Sequence, residues 1–181
     1  SNGGYMTHRL ACEGSDLFAA FAAVAGAGYV GLQELCVNVA QPVPILLMHG
    51  TEDSVIPWEG IYAPSELGGG TVAVSLSVPE YITFWGFYNR CNLDDGGAYT
   101  ALPDMETEDE IQTSTQVRVF EDCAGNGEVA VYLIEGGGHT WPGRDLLQGD
   151  MGPTSLDFNA SEVIWEFFAD KQLTTATDDT E

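Results

Sequence analysis

Two apolar runs set the strongest limit on what this chain can fold into. Residues 18–25 and 43–48 are each nearly unbroken in hydrophobic side chains. A strand with one wet face carries a polar residue at every second position; a strand covered on both faces does not. Both runs therefore predict fully buried strands. Gly26 to Gly28 break the first, and Pro42 and Gly50 bound the second. No stretch of about 18 apolar residues occurs, so neither run predicts a membrane span.

Helical patterns surround these runs. Residues 4–13 place Met6, Leu10 and Ala11 at helical spacing, and Gly14-Ser15-Asp16 ends the segment. Ser77-Val78-Pro79-Glu80 has the form of a capping box with proline in the first turn, which predicts a helix from Val78 to Asn89. Its apolar side would carry Tyr81, Phe84, Trp85 and Tyr88. Asn159 and Glu162 repeat the capping pattern, with Val163, Ile164, Phe167 and Phe168 facing the core. Between them, residues 115–121 alternate, with Val117 and Val119 on one face and Arg118 on the other. Asn126-Gly127 is a turn signal before the largely apolar segment 128–134, so the two segments predict an antiparallel hairpin. Residues 92–113 read as a polar loop.

Buried strands alternating with helices indicate an α/β fold, with a mostly parallel sheet and helices on both faces. About three core strands and one hairpin partner are expected. The 181 residues fit one domain over 1–171, without internal repeats, followed by a disordered acidic tail over 172–181.

The chain carries 28 acidic and 5 basic residues, a net charge of −23. Such a surface repels phosphate backbones and anionic membranes, so no nucleic-acid or membrane partner is expected. A neutral or cationic substrate is favoured, with high solubility and no specific role for the acidic surface as the alternative. Cys12, Cys36, Cys91 and Cys123 form no C-x-x-C pair, which argues against a zinc site. The acidic run Asp104 to Glu110 lacks the spacing of a calcium loop and reads as solvated. No metal or cofactor is expected. An even cysteine count fits two disulfides and an oxidising compartment. Four cysteines allow three pairings; the expected one joins Cys12 to Cys36 and Cys91 to Cys123, with buried free thiols as the alternative.

Three segments carry chemistry, each after a predicted strand or at the start of a helix. Open α/β sheets place their active sites at the carboxyl ends of the strands. Ser1-Asn2-Gly3 matches the last three positions of the nucleophile elbow G-x-S-x-G, and a helix follows. Taken alone, a Ser-Asn pair fits a cloning remnant equally well. Asp53, in His49-Gly50-Thr51-Glu52-Asp53-Ser54-Val55-Ile56-Pro57, follows a buried strand and can orient a catalytic imidazole. Its bland reading is a turn aspartate bonded to its own backbone. Glu52 is expected in solvent, and His49 as a structural residue. His139 lies in Gly136-Gly137-Gly138-His139-Thr140-Trp141-Pro142-Gly143, where glycines permit unusual dihedrals. That loop lacks the G-K-[ST] of a phosphate loop. The order serine, aspartate, histidine is that of α/β-hydrolases. Trp58 and Trp141, beside the acid and the histidine, are candidates to line a substrate pocket, with core or rim packing as the alternative, favoured for Trp58.

The combination S-N-G-G-Y-M, R-L-A-C-E, H-G-T-E-D-S-V-I-P and G-G-G-H-T-W-P-G resembles the polyhydroxybutyrate depolymerase/feruloyl esterase family over residues 1 to about 169. The resemblance implies an α/β-hydrolase fold and a secreted or periplasmic serine esterase acting on a small-molecule or polymeric ester. It implies Ser1 as nucleophile, Asp53 as acid and His139 as general base, with the Asn2 amide in the oxyanion hole. Members of that family carry several strands and a second oxyanion amide before the nucleophile. Their absence from this sequence leads to the expectation of a C-terminal part that is a poor esterase alone. A peptidase using the same residues and a non-catalytic fragment are the alternatives.

Overall fold

The computed structural model describes residues 1–39, 41–65, 68, 70–94, 99–105, 113–144 and 151–173. Helix α1 (Asn2–Glu13) leads into strand β1 (Phe21–Val24). A short helix α2 (Leu32–Leu35) and a 3-10 turn (Cys36–Asn38) connect to β2 (Pro44–Gly50). A small hairpin, β3 (Tyr62–Pro64) and β4 (Thr71–Ala73), precedes α3 (Val78–Tyr88). Strands β5 (Thr100–Ala101), β6 (Ser114–Phe120) and β7 (Glu128–Glu135) follow, and α4 (Ala160–Ala169) comes last.

The main sheet has five strands in the order β1-β2-β7-β6-β5. β1 pairs parallel to β2 and β2 parallel to β7. β6 is antiparallel to both neighbours, so four strands point one way. This is an α/β fold with a mixed, mostly parallel sheet. β2 lies between two parallel neighbours, and all seven of its residues are buried. That is the physical reason for its unbroken apolar composition. Ile45 and Leu47 join a core with Phe21, Ala23, Val129, Val131, Tyr81 and Trp85, on the face covered by α1 and α3. Leu46 and Met48 join Ala130 and Ala160 on the opposite face, against Val163, Ile164 and Phe167 of α4. Helices therefore cover both faces, as the sequence predicted.

The cysteines pair as expected. Cys12–Cys36 ties α1 to the turn after α2, and Cys91–Cys123 ties the segment after α3 to the turn after β6. No helix among the described residues is long and apolar enough to cross a membrane. Residues 106–110 of the acidic run and 174–181 of the predicted tail lie outside the described residues.

Several local expectations need correction. The first apolar run yields a strand only over Phe21–Val24; Phe18 is largely exposed and packs edge-on against Phe21. In α1 the buried positions are Gly4, His8, Ala11 and Cys12, while Met6 and Leu10 are exposed. In β6, Thr115 and Phe120 are buried and Val119 is exposed, because the strand lies near the sheet's edge. The polar 92–113 segment contains the two-residue strand β5. The α3 capping box forms in full, with Ser77 and Glu80 each bonded to the other's backbone. At α4 the Asn159 side chain caps the Ser161 amide, but Glu162 meets the Asn159 side chain at 3.5 Å instead of its backbone.

His8 is the polar residue on the buried face of α1. Its Nε2 donates to the Gly26 carbonyl at 2.8 Å, and its ring lies edge-on to Tyr81. Burial pushes the imidazole down to about 4 from its ordinary 6.5. The folded chain thus holds His8 neutral where the unfolded chain protonates it. Its contribution to stability is complete above pH 6.5 and declines as pH falls toward about 4. A His8→Gln variant keeps a donor but does not titrate. In urea unfolding, wild type should lose on the order of 3 kcal/mol relative to this variant between neutral pH and about pH 4. Parallel pH–stability curves for the two proteins would contradict this.

Candidate active site

Parallel pairing brings the carboxyl ends of β1, β2 and β7 to one edge of the sheet. The loops leaving β2 and β7 are stitched together there. The Thr51 amide donates to Ile134 O at 2.9 Å, and the Glu52 amide to Gly137 O at 2.9 Å. The Thr51 hydroxyl accepts from the Gly136 amide at 2.9 Å.

The loops approach so closely because of glycine. A Cβ on Gly50 would collide with the Gly137 carbonyl. In the Gly136–Gly138 run, only Gly136 adopts a left-handed φ, of 74°. The expectation of unusual dihedrals thus holds at one position of the three. Gly138 instead makes room for the chain at Met151. Backbone bonds from Gly138 N to Pro153 O (2.8 Å) and from His139 N to Met151 O (2.6 Å) then fix the histidine.

Asp53 is buried, at 3% exposure. Its two oxygens have separate tasks. Oδ1 accepts from the amides of Val55 (2.9 Å) and Ile56 (2.8 Å), which is the turn-forming role. Oδ2 accepts from His139 Nδ1 at 2.7 Å. In the neutral ring this bond puts the proton on Nδ1 and leaves Nε2 as the basic nitrogen. Glu52 is exposed, as expected.

Ser1 occupies the N-cap position of α1, and its side chain makes no capping hydrogen bond. Its nitrogen lies 3.5 Å from the Val24 carbonyl, at the carboxyl end of β1. Gly4, one turn into α1, lies against Gly26; a Cβ there would come within 3.0 Å of the Gly26 oxygen. The structure therefore bonds Asp53 directly to His139 and sets Ser1 at the same sheet edge. Asn2 opens the helix beside it.

Trp58 packs half-buried against the main core, its ring edge-on to His49 at 6.1 Å. Trp141 is 40% exposed and donates from Nε1 to the Ser161 hydroxyl at 3.2 Å. Thr51 carries a role that the sequence reading did not assign, while His49 is structural, as expected. Thr51 ties the acid loop to the histidine loop, and His49 lies buried behind Asp53. No group of three or more His, Cys, Asp or Glu that could hold a metal ion occurs among the described residues.

The fold and this dyad define an α/β protein with a carboxylate-oriented histidine at the end of its parallel strands. No family model matches the chain. It is similar to a protein of Nocardia uniformis subsp. tsuyamanensis named "Putative esterase NocK", at 31% identity over 173 residues, covering 92% of this chain and 48% of the relative. The chain thus spans about half the length of the curated relative it matches.

Close packing of the two loops makes Gly50 a sensitive position. Gly50→Ala should cost about 1–3 kcal/mol of stability by overpacking, and should loosen the loop contacts beside His139. Urea unfolding and hydrogen exchange at the Glu52 amide measure the two effects. Unchanged stability and unchanged Glu52 protection would show that the loops do not need the close approach.

Proposed function

We propose that this chain belongs to a serine esterase of α/β-hydrolase type, related to the polyhydroxybutyrate depolymerase/feruloyl esterases, with Ser1, His139 and Asp53 as its catalytic triad. The observation that carries the reading is the 2.7 Å bond between His139 Nδ1 and the buried Asp53, at the carboxyl edge of a parallel sheet. The serine at the start of α1, on the same edge, and the similarity to a protein named as an esterase support it.

In this mechanism Ser1 Oγ attacks the ester carbonyl while His139 Nε2 accepts its proton. Asp53 stabilises the imidazolium that forms. The tetrahedral oxyanion accepts a hydrogen bond from the Asn2 backbone amide at the open start of α1. His139 returns the proton to the departing alcohol, leaving an acyl-serine. A water, deprotonated by the same nitrogen, attacks the acyl group and frees the acid. Trp141 and Trp58 line the substrate side. The substrate is a neutral carboxylic ester, small or polymeric, of the feruloyl, acetyl or short hydroxyalkanoate type. A surface of net charge −23 disfavours anionic substrates. The two disulfides favour a secreted or periplasmic location.

Turnover of p-nitrophenyl acyl esters tests the assignment. Ser1→Ala and His139→Ala should abolish it, and Asp53→Asn should lower kcat by roughly 10³–10⁴ by stabilising the wrong tautomer. Ester turnover that survives Ser1→Ala unchanged would remove Ser1 from the mechanism.

A further inference from the structure

We propose that His49 is a positioning residue for the Asp53–His139 pair, acting through the backbone of Ile56. The inference rests on the esterase reading above for its functional consequence, but its geometry stands apart from the nucleophile. His49 is 1% exposed and sits on β2, four residues before Asp53. Its Nε2 donates to the Ile56 carbonyl at 2.8 Å. The amide of the same Ile56 donates to Asp53 Oδ1 at 2.8 Å. The other oxygen of Asp53 holds His139 at 2.7 Å. A continuous path therefore runs from the rigid central strand to the imidazole: His49, Ile56, Asp53, His139.

The chemistry of His49 suits this task. Burial holds its ring in the neutral state, so Nε2 carries a proton for Ile56 without placing a second cation beside the carboxylate. Nε2 is also 3.7 Å from Asp53 Oδ2, too far for a hydrogen bond. The Trp58 ring lies 6.1 Å from the His49 ring, centre to centre, at 73°. A purely space-filling residue at this point of β2 would be apolar, like the preceding Ile45, Leu46, Leu47 and Met48. Burying a histidine there has a cost, and the bond to Ile56 offsets part of it. His49 Nδ1 has no partner, so Nε2 makes the ring's bond to the protein.

Two amide substitutions separate positioning from polarity. In His49→Gln the side-chain nitrogen reaches the place of Nε2 and can donate to Ile56. In His49→Asn it reaches only the place of Nδ1. The first readout is the low-field proton NMR resonance of the His139 Nδ1–H in the hydrogen bond to Asp53, assigned by its loss in Asp53→Asn. Wild type and His49→Gln should show it at nearly the same position. His49→Asn should shift it upfield or broaden it by exchange. The second readout is ester turnover: His49→Asn should lower kcat by about tenfold or more at nearly constant KM, as a misplaced base does, and His49→Gln should restore most of it. Should the Asn variant lose its near-UV dichroism and fail to fold, His49→Leu replaces it in the same comparison. An unaltered resonance in the folded Asn or Leu variant, or a low-field resonance missing from wild type, would overturn the proposal. Absence of fluorophosphonate labelling at Ser1 in wild type, with the resonance responding as described, would instead count against the esterase reading and leave the positioning role supported.

Discussion

The parallel ladder between β2 and β7 is the constraint on which the rest depends. It runs without interruption from Pro44 opposite Glu128 to Gly50 opposite Ile134. Both strands therefore end together, and the acid loop and the histidine loop leave the sheet side by side. Shifting the pairing by one residue would turn each buried side chain to the opposite face. The two separate cores fix this register, because Ile45 and Leu47 fit one and Leu46 and Met48 the other. The site geometry thus rests on core packing as well as on the polar contacts of the ladder.

The polar contacts then refine what the ladder provides. Backbone bonds between residues 51–52 and 134–137 close the gap between the loops. Asp53 links three backbone or side-chain donors, and its burial makes each bond matter more than it would in water. The same low dielectric would make a misplaced carboxylate costly. Here the bonds to the turn amides and the bond to the imidazole fall to different oxygens, so the turn-forming role and contact with His139 do not compete.

Much of this was legible in the sequence, for reasons that differ by element. β2 was legible because a central parallel strand must be apolar on both sides. α3 and the β6–β7 hairpin were legible because capping and turn residues act locally. The even cysteine count pointed to two disulfides but left three pairings open, and the motifs after β2 and β7 drew attention to Asp53 and His139, which the structure bonds to each other. The β3–β4 hairpin and β5 were not legible. They are two or three residues long and mostly exposed, so they carry no periodic burial signal. The buried face of α1 was misread because Gly4 and His8 do the packing while the larger Met6 and Leu10 face outward. The role of His49 depends on a bond to Ile56, seven residues away, that no local pattern encodes.

The central claim is that Ser1 is a nucleophile activated by the Asp53-oriented His139. Mass-spectrometric mapping of a fluorophosphonate adduct tests it most directly. The account predicts covalent modification at Ser1 that is lost on His139→Ala and strongly slowed on Asp53→Asn. Modification at another serine, or labelling of Ser1 that does not depend on His139, would contradict it.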